Sequence, residues 1–338
     1  MKTDFQPKNI NLDINSFSLY LNVVGGHSLF IEISPQYLIK SSNENEINFY
    51  SLTNNNFKFN YYPHFLGIIS QGSEQFEIID NYVHQCKIFF RNFICKINIK
   101  PEDINIENDI KFNSIFQNFI LENKNYLNIN INNSFNKLEK KLMNYYRNSK
   151  NKLKWILFSF VKWNNYFLKN NFIIMQNLTF NMKNPVILDI KLGTSPKISK
   201  ENNLIKKYDG AQKEIGCRIM GIQKANFFKH RYNTKNYTLN EFKEEISIFF
   251  NNNNDLIKKT IDEALNIISE IAIKVKLNIK FSSLLLCYDD NNKFGKVYAN
   301  LIDFTFVGED NKNNCDINRD LISAIKNFVF ILNEFQTK

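Results

Sequence analysis

The 338-residue chain contains little of what marks several protein classes. Its 10 glycines and 6 prolines are too few for a collagen-like or low-complexity linker chain. Its five cysteines include no Cys-x-x-Cys pair and lie far apart, which suits neither a zinc module nor the disulfide framework of a small secreted protein. No window holds 18 consecutive apolar residues, so we expect neither a membrane span nor a signal peptide. We therefore expect a cytoplasmic and/or nuclear protein.

The chain is rich in apolar, aromatic and basic residues. Its 43% hydrophobic content, with 32 Phe and 15 Tyr, predicts a folded core, and its length allows one large domain or two coupled lobes. The net charge of +10 favours an anionic partner such as nucleic acid, acidic lipid or a polyphosphorylated small molecule. Asn, Lys, Ile, Phe and Tyr are over-used throughout, so a general residue bias is an alternative explanation of that charge.

The hydrophobic pattern divides the chain into three regions. Residues 1–80 predict a β-rich lobe, residues 81–170 an Asn- and Lys-rich insertion that is mobile or helical, and residues 171–338 a second lobe of mixed α/β structure. In the first two regions, a small meander is expected over Val23 to His27, Ser28 to Ile33 and Gln36 to Lys40, with Gly25-Gly26 as a turn. A further strand is expected at Phe65 to Ile69, and helices are expected at Glu44 to Leu52, Phe135 to Tyr146 and Trp155 to Phe167. In the third, strands are expected at Phe172 to Met175, Val186 to Ile190, Arg218 to Gln223, Ser283 to Tyr288 and Lys296 to Phe304, and helices at Leu239 to Phe250, Leu256 to Ile273 and Asp320 to Phe335.

The string Pro185-Val-Ile-Leu-Asp189-Ile-Lys191-Leu-Gly193-Thr194, or PxxxDxKxG, is the first that suggests chemistry. On a strand, Asp189 and Lys191 project to the same face, and Gly193 allows a close turn beside a ligand. A carboxylate and an ammonium together can orient an attacking oxygen and neutralise a phosphoryl group. A same-face ion pair at a strand end is the alternative interpretation.

The string Leu301-Ile302-Asp303-Phe304 is the second that suggests chemistry. An Asp after a hydrophobic strand and before an aromatic residue is a common way to hold Mg²⁺ against ATP phosphates. The alternative is an Asp that caps the following turn.

The order of these and other strings resembles the inositol polyphosphate kinase family, whose signature is PxxxDxKxG. The resemblance covers about Asn22 to Phe335, with residues 81–169 unmatched. The Gly-Thr after PVILDIKL and the Gly-x-Arg-x-x-Gly-x-Gln run are most similar to those of inositol hexakisphosphate kinases. The strings that carry the resemblance are Gly25-Gly26-His27, Lys40, Glu46 with Phe49-Tyr50, Gln176-Asn177-Leu178-Thr179, PVILDIKLGT, Gly216 to Gln223, Ser282-Ser283-Leu284-Leu285 and LIDF.

The resemblance implies a two-lobed α+β fold, distantly similar to protein kinases and ATP-grasp enzymes, with a β-rich N-lobe and a mixed α/β C-lobe. It implies that ATP and Mg²⁺ are used to phosphorylate an inositol polyphosphate, with inositol hexakisphosphate as acceptor and a diphosphoinositol pentakisphosphate as product. A multikinase that phosphorylates ring hydroxyls of lower inositol phosphates stays open. We expect a monomer and no nucleic-acid partner, because no zinc finger, aromatic RNA-binding signature or Arg tract accompanies the basic charge. A basic nucleic-acid-binding or scaffold protein is the more distant alternative.

The resemblance also assigns roles to single residues. Lys40 would hold the nucleotide phosphates and Glu46 would pair with it, although Glu44 competes for that role. Gln176 and Leu178 would meet adenine from the connector between the lobes, with Gln in place of the common Glu. Asp189 and Lys191 would be the catalytic pair. The remaining assignments are Asp303 and Ser283 at the metal, Asp303 also at ATP, and Lys191, Lys207, Lys213 and Arg218 at the substrate.

Two strings depart from the family pattern. Thr305-Phe306 follows Asp303-Phe304, where hexakisphosphate kinases have a small residue and His. The carboxy-terminal Asp-Gly-x-Asp element is reduced to Asp316-Ile-Asn-Arg-Asp320. Both departures concern the acceptor more than phosphoryl transfer itself.

Overall fold

The structure is a computed structural model of the chain. It describes residues 17–20, 22, 30–56, 59–96, 171–194, 197–198, 205–206, 209–224, 227–275, 277–292, 295–309 and 318–336. The first part of the predicted meander, residues 23–27, and the predicted helices at 135–146 and 155–167 lie outside the described residues, as does most of the predicted insertion.

The first lobe is built on a five-stranded sheet in the order β1-β2-β3-β5-β4, with antiparallel pairing throughout. Strand β3 lies at its centre, and its Leu38 and Ile39 are buried together with Lys40. A lysine in a central strand requires a charged partner nearby. The strands are β1 (Ser18–Leu19), β2 (Phe30–Ser34), β3 (Tyr37–Ser42), β4 (Phe65–Ile69) and β5 (Asn171–Gln176).

Two helices belong to this lobe, α1 (Glu44–Asn56) and α2 (Glu74–Lys96). Helix α1 begins directly after β3, where the Asn43 side chain accepts a hydrogen bond from the Glu46 amide. This side-chain bond satisfies one of the free amides of the first turn. The tight connection places Glu46 on the first turn, six residues after Lys40.

The second lobe contains a five-stranded antiparallel sheet in the order β10-β9-β6-β12-β13. The central strand β6 pairs with β9 on one side and β12 on the other, so Val186 to Ile190 are all buried. The strands are β6 (Pro185–Leu192), β9 (Cys217–Lys224), β10 (Phe227–His230), β12 (Ser283–Asp289) and β13 (Tyr298–Ile302). Two-stranded sheets join β7 (Lys197–Ile198) to β8 (Ile205–Lys206) and β11 (Leu277–Lys280) to β14 (Phe306–Glu309).

Helices cover this sheet and complete the core. The long ones are amphipathic, and their apolar faces contribute residues such as Phe242, Ile267 and Phe328 to the buried cluster. Thr238 caps the first of them through a reciprocal capping box with Glu241. The helices are α3 (Ala211–Ile215), α4 (Arg231–Thr234), α5 (Leu239–Phe250), α6 (Asn254–Lys274) and α7 (Arg319–Gln336).

The boundaries of the lobes in the structure differ from the predicted ones. Helix α2 runs across the predicted division between residues 80 and 81. Strand β5 follows residue 170 but pairs within the first sheet, so the crossing to the second lobe comes after Gln176. The predicted strands 172–175 and 186–190 therefore lie in different sheets, because an apolar run indicates burial but not the neighbouring strand.

Candidate functional site

A buried ion pair lies at the inner end of the first lobe. The Nζ atom of Lys40 lies 2.7 Å from Oε1 of Glu46, and both side chains are almost wholly buried. The other carboxylate oxygen of Glu46 accepts a hydrogen bond of 2.7 Å from the Ser42 hydroxyl. Burial alone would lower the pKa of Lys40, but Glu46 and Asp303 raise it, so the lysine stays charged. Glu44, the competing acid, is exposed on the same helix turn.

Asp303 connects this pair to the second lobe. Its Oδ1 lies 3.4 Å from Lys40 Nζ and its Oδ2 lies 3.5 Å from Lys191 Nζ. Burial alone would raise the pKa of Asp303, but the two ammonium groups outweigh it and lower the pKa to about 2. The backbone of Asp303 is left-handed, at φ 65°, directly after β13 ends. Because non-glycine residues rarely adopt this conformation, the site imposes local strain that favours Asp or Asn.

Asp189 and Lys191 lie on one face of β6, as their spacing predicts. Asp189 is 4% exposed, and its Oδ1 has no hydrogen-bond partner among the described residues. Burial, followed by the nearby Asp303 charge, raises the pKa of Asp189 to about 7 against the opposing effect of Lys191. Asp189 therefore titrates near neutrality while Asp303 stays ionised.

Ser283 lies beside these groups. It is 1% exposed. On β12 it pairs with Lys191 of β6 on one side and with Ile302 of β13 on the other, and Ile302 directly precedes Asp303. Its buried hydroxyl makes no hydrogen bond of ordinary geometry in the described part of the chain, but it lies near enough to the Asp189 carboxyl to lower the pKa of that group. A buried and unsatisfied hydroxyl costs stability, which is a sign of a ligand-facing position.

An aromatic cluster fixes helix α1 against the residue after Asp303. The rings of Phe49 and Phe304 stack at 3.8 Å between centroids with an interplanar angle of 16°. Tyr50 meets the same Phe304 edge-on at 5.5 Å. The aromatic residues of α1 thus place Glu46 and Asp303 in register across the two lobes.

A cleft opens between the two sheets beside this cluster. Lys40, Asp189 and Asp303 line one part of it, and the connector residues Gln176 and Leu178 line another. Much of the remaining wall is apolar, as is usual for a small-molecule pocket. The other lining residues are Tyr20, Asn22, Phe30, Leu38, Tyr50, Pro63, Met175, Thr179, Ile187, Leu285, Cys287 and Ile302.

Of the other residues predicted to bind the acceptor, Lys207, Lys213 and Arg218, the described ones are not among those that line the cleft. Lys207 lies outside the described residues. Lys213 is exposed on α3, the helix whose Gln212 donates a 3.0 Å hydrogen bond to the Gly193 carbonyl at the end of β6. Arg218 is half-buried on β9, directly opposite Lys191. Of these three, Arg218 is the one that the strand pairing places beside Lys191.

Sequence reasoning missed the contacts of Asp320. Both of its carboxylate oxygens accept hydrogen bonds from the Thr194 amide at 2.9 Å, and the Thr194 hydroxyl donates another at 2.7 Å. Gly193 has φ 95°, and a Cβ there would come within 2.6 Å of Asp320 Oδ2. Asp320 therefore fixes the glycine turn that follows Lys191. The sequence signal was Asp320 in the reduced carboxy-terminal element, but nothing in the string named Thr194 as its partner.

The site also has the donors that Mg²⁺ prefers. No group of three or more His, Cys, Asp or Glu side chains able to hold a metal ion occurs in the described ranges. Mg²⁺ is commonly bound by one or two carboxylates together with substrate phosphates. The partly exposed carboxylate of Asp303 and the unsatisfied oxygens of Asp189 and Ser283 supply that incomplete set. These residues fit a magnesium ion that shares its ligands with a nucleotide.

The fold and the site together define a two-lobed α+β protein with one ionic cluster at the interlobe cleft. Residues 172–333 match the family model described as inositol polyphosphate kinase. Over these residues, just under half of the chain, the sequence is similar to the inositol polyphosphate kinase family. No helix in the described ranges has the length and apolar character needed to cross a membrane.

The chain has low sequence identity to individual relatives. The chain is 27% identical over 138 residues to inositol hexakisphosphate kinase 2 of Homo sapiens, covering 36% of this chain and 32% of that protein. It is 28% identical over 134 residues to the protein of the same name from Rattus norvegicus, covering 35% and 32%. The chain thus spans about a third of the length of these relatives. The S. cerevisiae inositol phosphate multikinase in complex with ADP and Mn²⁺ is 19% identical, with 49% of this chain and 84% of that chain covered and a TM-score of 0.42.

Proposed function

We propose that the protein is an ATP- and Mg²⁺-dependent inositol phosphate kinase. The observation that carries the proposal is the convergence of Lys40, Glu46, Asp189, Lys191 and Asp303 at one cleft between two lobes. Such a cluster provides cations for phosphates, a carboxylate for a metal and a second carboxylate for the acceptor. The family match over residues 172–333 supports the same class of reaction.

The first lobe supplies the nucleotide side of the reaction. Lys40 is held by Glu46 and points toward Asp303, so its ammonium is positioned where nucleotide phosphates would lie. Gln176 and Leu178, on the connector, line the part of the cleft suited to adenine. When bound at Asp303 and Ser283, magnesium would neutralise charge on the transferring phosphoryl group.

The second lobe supplies the acceptor side. Lys191 lies within reach of Asp303, so it is placed to neutralise the phosphoryl group as it moves from ATP to the acceptor. An acceptor oxygen forms a bond to the γ-phosphorus while the bond to the β,γ-bridging oxygen breaks, and ADP leaves with that oxygen. Arg218, opposite Lys191, is suited to paired contacts with a phosphate of the acceptor.

We propose inositol hexakisphosphate as the acceptor and a diphosphoinositol pentakisphosphate as the product. The Gly193-Thr194 ending of the β6 string and the run from Gly216 to Gln223 support this choice, as do the relatives named inositol hexakisphosphate kinase 2. The lysine-rich segment after β6 adds positive charge suited to a highly phosphorylated ring.

A ring-hydroxyl acceptor is the second candidate, and Asp189 favours it. A hydroxyl must lose its proton, and a carboxylate with a pKa of about 7 and a free Oδ1 is suited to take it. A phosphate oxygen of inositol hexakisphosphate is already ionised at neutral pH and needs no base. The two acceptors therefore make different demands on one residue.

The test is incubation of the full chain with ATP, Mg²⁺ and a panel of inositol phosphates, with products resolved by phosphate number. A seven-phosphate product from inositol hexakisphosphate supports the first candidate, and products from lower inositol phosphates alone support the second. Failure to phosphorylate any member would contradict both.

Asp189→Asn separates the two candidates further. With a ring-hydroxyl acceptor the loss of rate should be on the order of 10²- to 10⁴-fold, the range typical of a lost general base. With inositol hexakisphosphate the loss should be smaller, because Asp189 then mainly orients Lys191 and the acceptor. An equally large loss on both acceptors would contradict this role for Asp189.

A further inference from the structure

We infer that Tyr20, Asn22, Thr179 and Gln223 form an interlobe polar bridge that positions the nucleotide by fixing the width of the cleft. The inference rests on the proposed function, because it assumes that the cleft binds a nucleotide. Three of the four residues, Tyr20, Asn22 and Thr179, line that cleft.

The bridge begins at the edge of the first sheet. The Tyr20 amide donates to the Phe30 carbonyl at 3.1 Å, which continues the pairing of β1 with β2 by one residue. The Tyr20 and Phe30 rings meet edge-on at 6.2 Å. These contacts hold the phenol ring rigidly enough for its hydroxyl to reach the connector.

The Tyr20 hydroxyl meets Thr179 Oγ1 at 2.8 Å. Thr179 Oγ1 also lies 2.9 Å from Asn177 Oδ1, an acceptor that takes the Thr179 amide as well at 3.0 Å. Because a threonine hydroxyl has one hydrogen and gives it to Asn177, Tyr20 must be the donor to Thr179. Burial raises the pKa of Tyr20, so its hydroxyl keeps this hydrogen at neutral pH.

A second contact extends the bridge to the other sheet. The Gln223 Nε2 atom donates to Asn22 Oδ1 at 3.0 Å, and Asn22 Nδ2 lies 3.5 Å from Thr179 Oγ1. Gln223 belongs to β9 and stands opposite Ile187 of β6, which itself lines the cleft. Tyr20 and Asn22 are thus bonded to the connector, and Asn22 is bonded also to the second sheet.

Two sets of contacts of different chemistry therefore connect the lobes: an ion pair, called here the ionic tie, and the polar bridge. The ionic tie, Lys40 to Asp303, involves groups that nucleotide phosphates and a metal would claim on binding. The polar bridge consists of neutral side chains, and three of them line the same cleft as Gln176 and Leu178, so nucleotide phosphates and a metal have no charge there to pair with. The bridge can hold the spacing of the two lobes while the ionic tie is exchanged for ligand contacts.

The test is calorimetric titration of Mg²⁺ADP into the full chain without an acceptor. Tyr20→Phe removes only the hydroxyl, and Thr179→Val removes its partner while keeping the shape of the side chain. We expect each change to weaken ADP binding by about three- to tenfold, the usual effect of one hydrogen bond. Because both changes remove the same contact, the double variant should bind ADP as tightly as the single variant with the lower affinity. Tyr237→Phe is the control, because it deletes a hydroxyl bonded to Glu245 outside the residues that line the cleft.

A kinetic measurement separates positioning from a general loss of structure. The Michaelis constant for ATP should rise by the same factor in the Tyr20→Phe and Thr179→Val variants, while that for the inositol phosphate stays unchanged. Wild-type ADP affinity in both folded variants, or losses that multiply in the double variant, would overturn the bridge alone. A wild-type chain that does not bind Mg²⁺ADP would overturn the proposed function and the bridge with it. If Tyr20→Phe does not fold, the Thr179→Val titration decides by the same criterion.

Discussion

Asp189→Asn should stabilise the protein at alkaline pH, although it removes a functional group. Asp189 is a buried carboxyl whose pKa rises from 3.8 to about 7, chiefly through burial and secondarily through Asp303. A raised carboxyl pKa means that the folded state disfavours the charged form. The wild-type protein therefore loses stability as pH rises from about 4 through about 7, and the loss is complete above the folded pKa.

The size of the effect follows from the pKa rise. At about 1.4 kcal/mol per unit, a rise from 3.8 to about 7 corresponds to about 4 kcal/mol of stability lost above the folded pKa. The amide that replaces the carboxyl in Asp189→Asn cannot ionise, so the variant should be more stable than the wild type by up to about 4 kcal/mol at pH 8. At pH 5, about 1.2 units above the unfolded pKa of 3.8, the difference should already be about 1.7 kcal/mol, and it should vanish only below about pH 4.

Urea denaturation of both proteins at intervals from pH 5 to pH 8 measures this difference directly. The difference in free energy of unfolding should grow with pH and bend near pH 7. Asp262→Asn, an exposed change on α6, is the control and should alter stability little at any pH. A pH-independent difference for Asp189→Asn, or one that favours the wild type at pH 8, would refute the raised pKa.

Three further changes address single contacts. Lys40→Ala should weaken ATP binding more than inositol phosphate binding, since Lys40 lies on the nucleotide side; separate titrations with each ligand check this, and an equal loss would indicate a folding defect. Asp303→Asn should leave the protein folded but lower its melting temperature, because the ion pairs with Lys40 and Lys191 are lost, and it should remove most of the Mg²⁺ dependence of ADP binding, measured by calorimetry with and without Mg²⁺; retained dependence would place the metal elsewhere. Asp320→Asn weakens the hydrogen bonds to Thr194 and should raise the Michaelis constant for the acceptor several-fold with ADP affinity unchanged, and the opposite pattern would separate this turn from the acceptor site.

The strands and helices of the second lobe were largely predictable from sequence, because their patterns are local. The predicted helix 239–250 matches α5 residue for residue, and α6 and α7 differ from the predictions by one or two residues at each end. The predicted strand 296–304 is shorter in the structure and ends at Ile302. Its last predicted residues include Asp303, whose left-handed backbone is incompatible with a continuing strand.

Contacts between distant parts of the chain were harder to predict. The spacing of Asp189 and Lys191 indicated a shared face, but the bridge that Asp303 makes to Lys40 depends on how two sheets meet. Tyr20 and Thr179 are separated by 159 residues and follow no periodic pattern. Such polar pairs are set by tertiary packing, so local sequence carries no signal for them.

The most direct test of the central claim is transfer of the labelled γ-phosphate of ATP to inositol hexakisphosphate by the full chain. The wild-type protein should form a labelled product with one more phosphate, and Lys191→Met should lose most of this transfer while still binding ADP. Undiminished transfer by Lys191→Met would contradict the assignment of the site. Absence of label in every inositol phosphate tested, by a wild-type chain that binds Mg²⁺ADP, would contradict the proposed kinase activity.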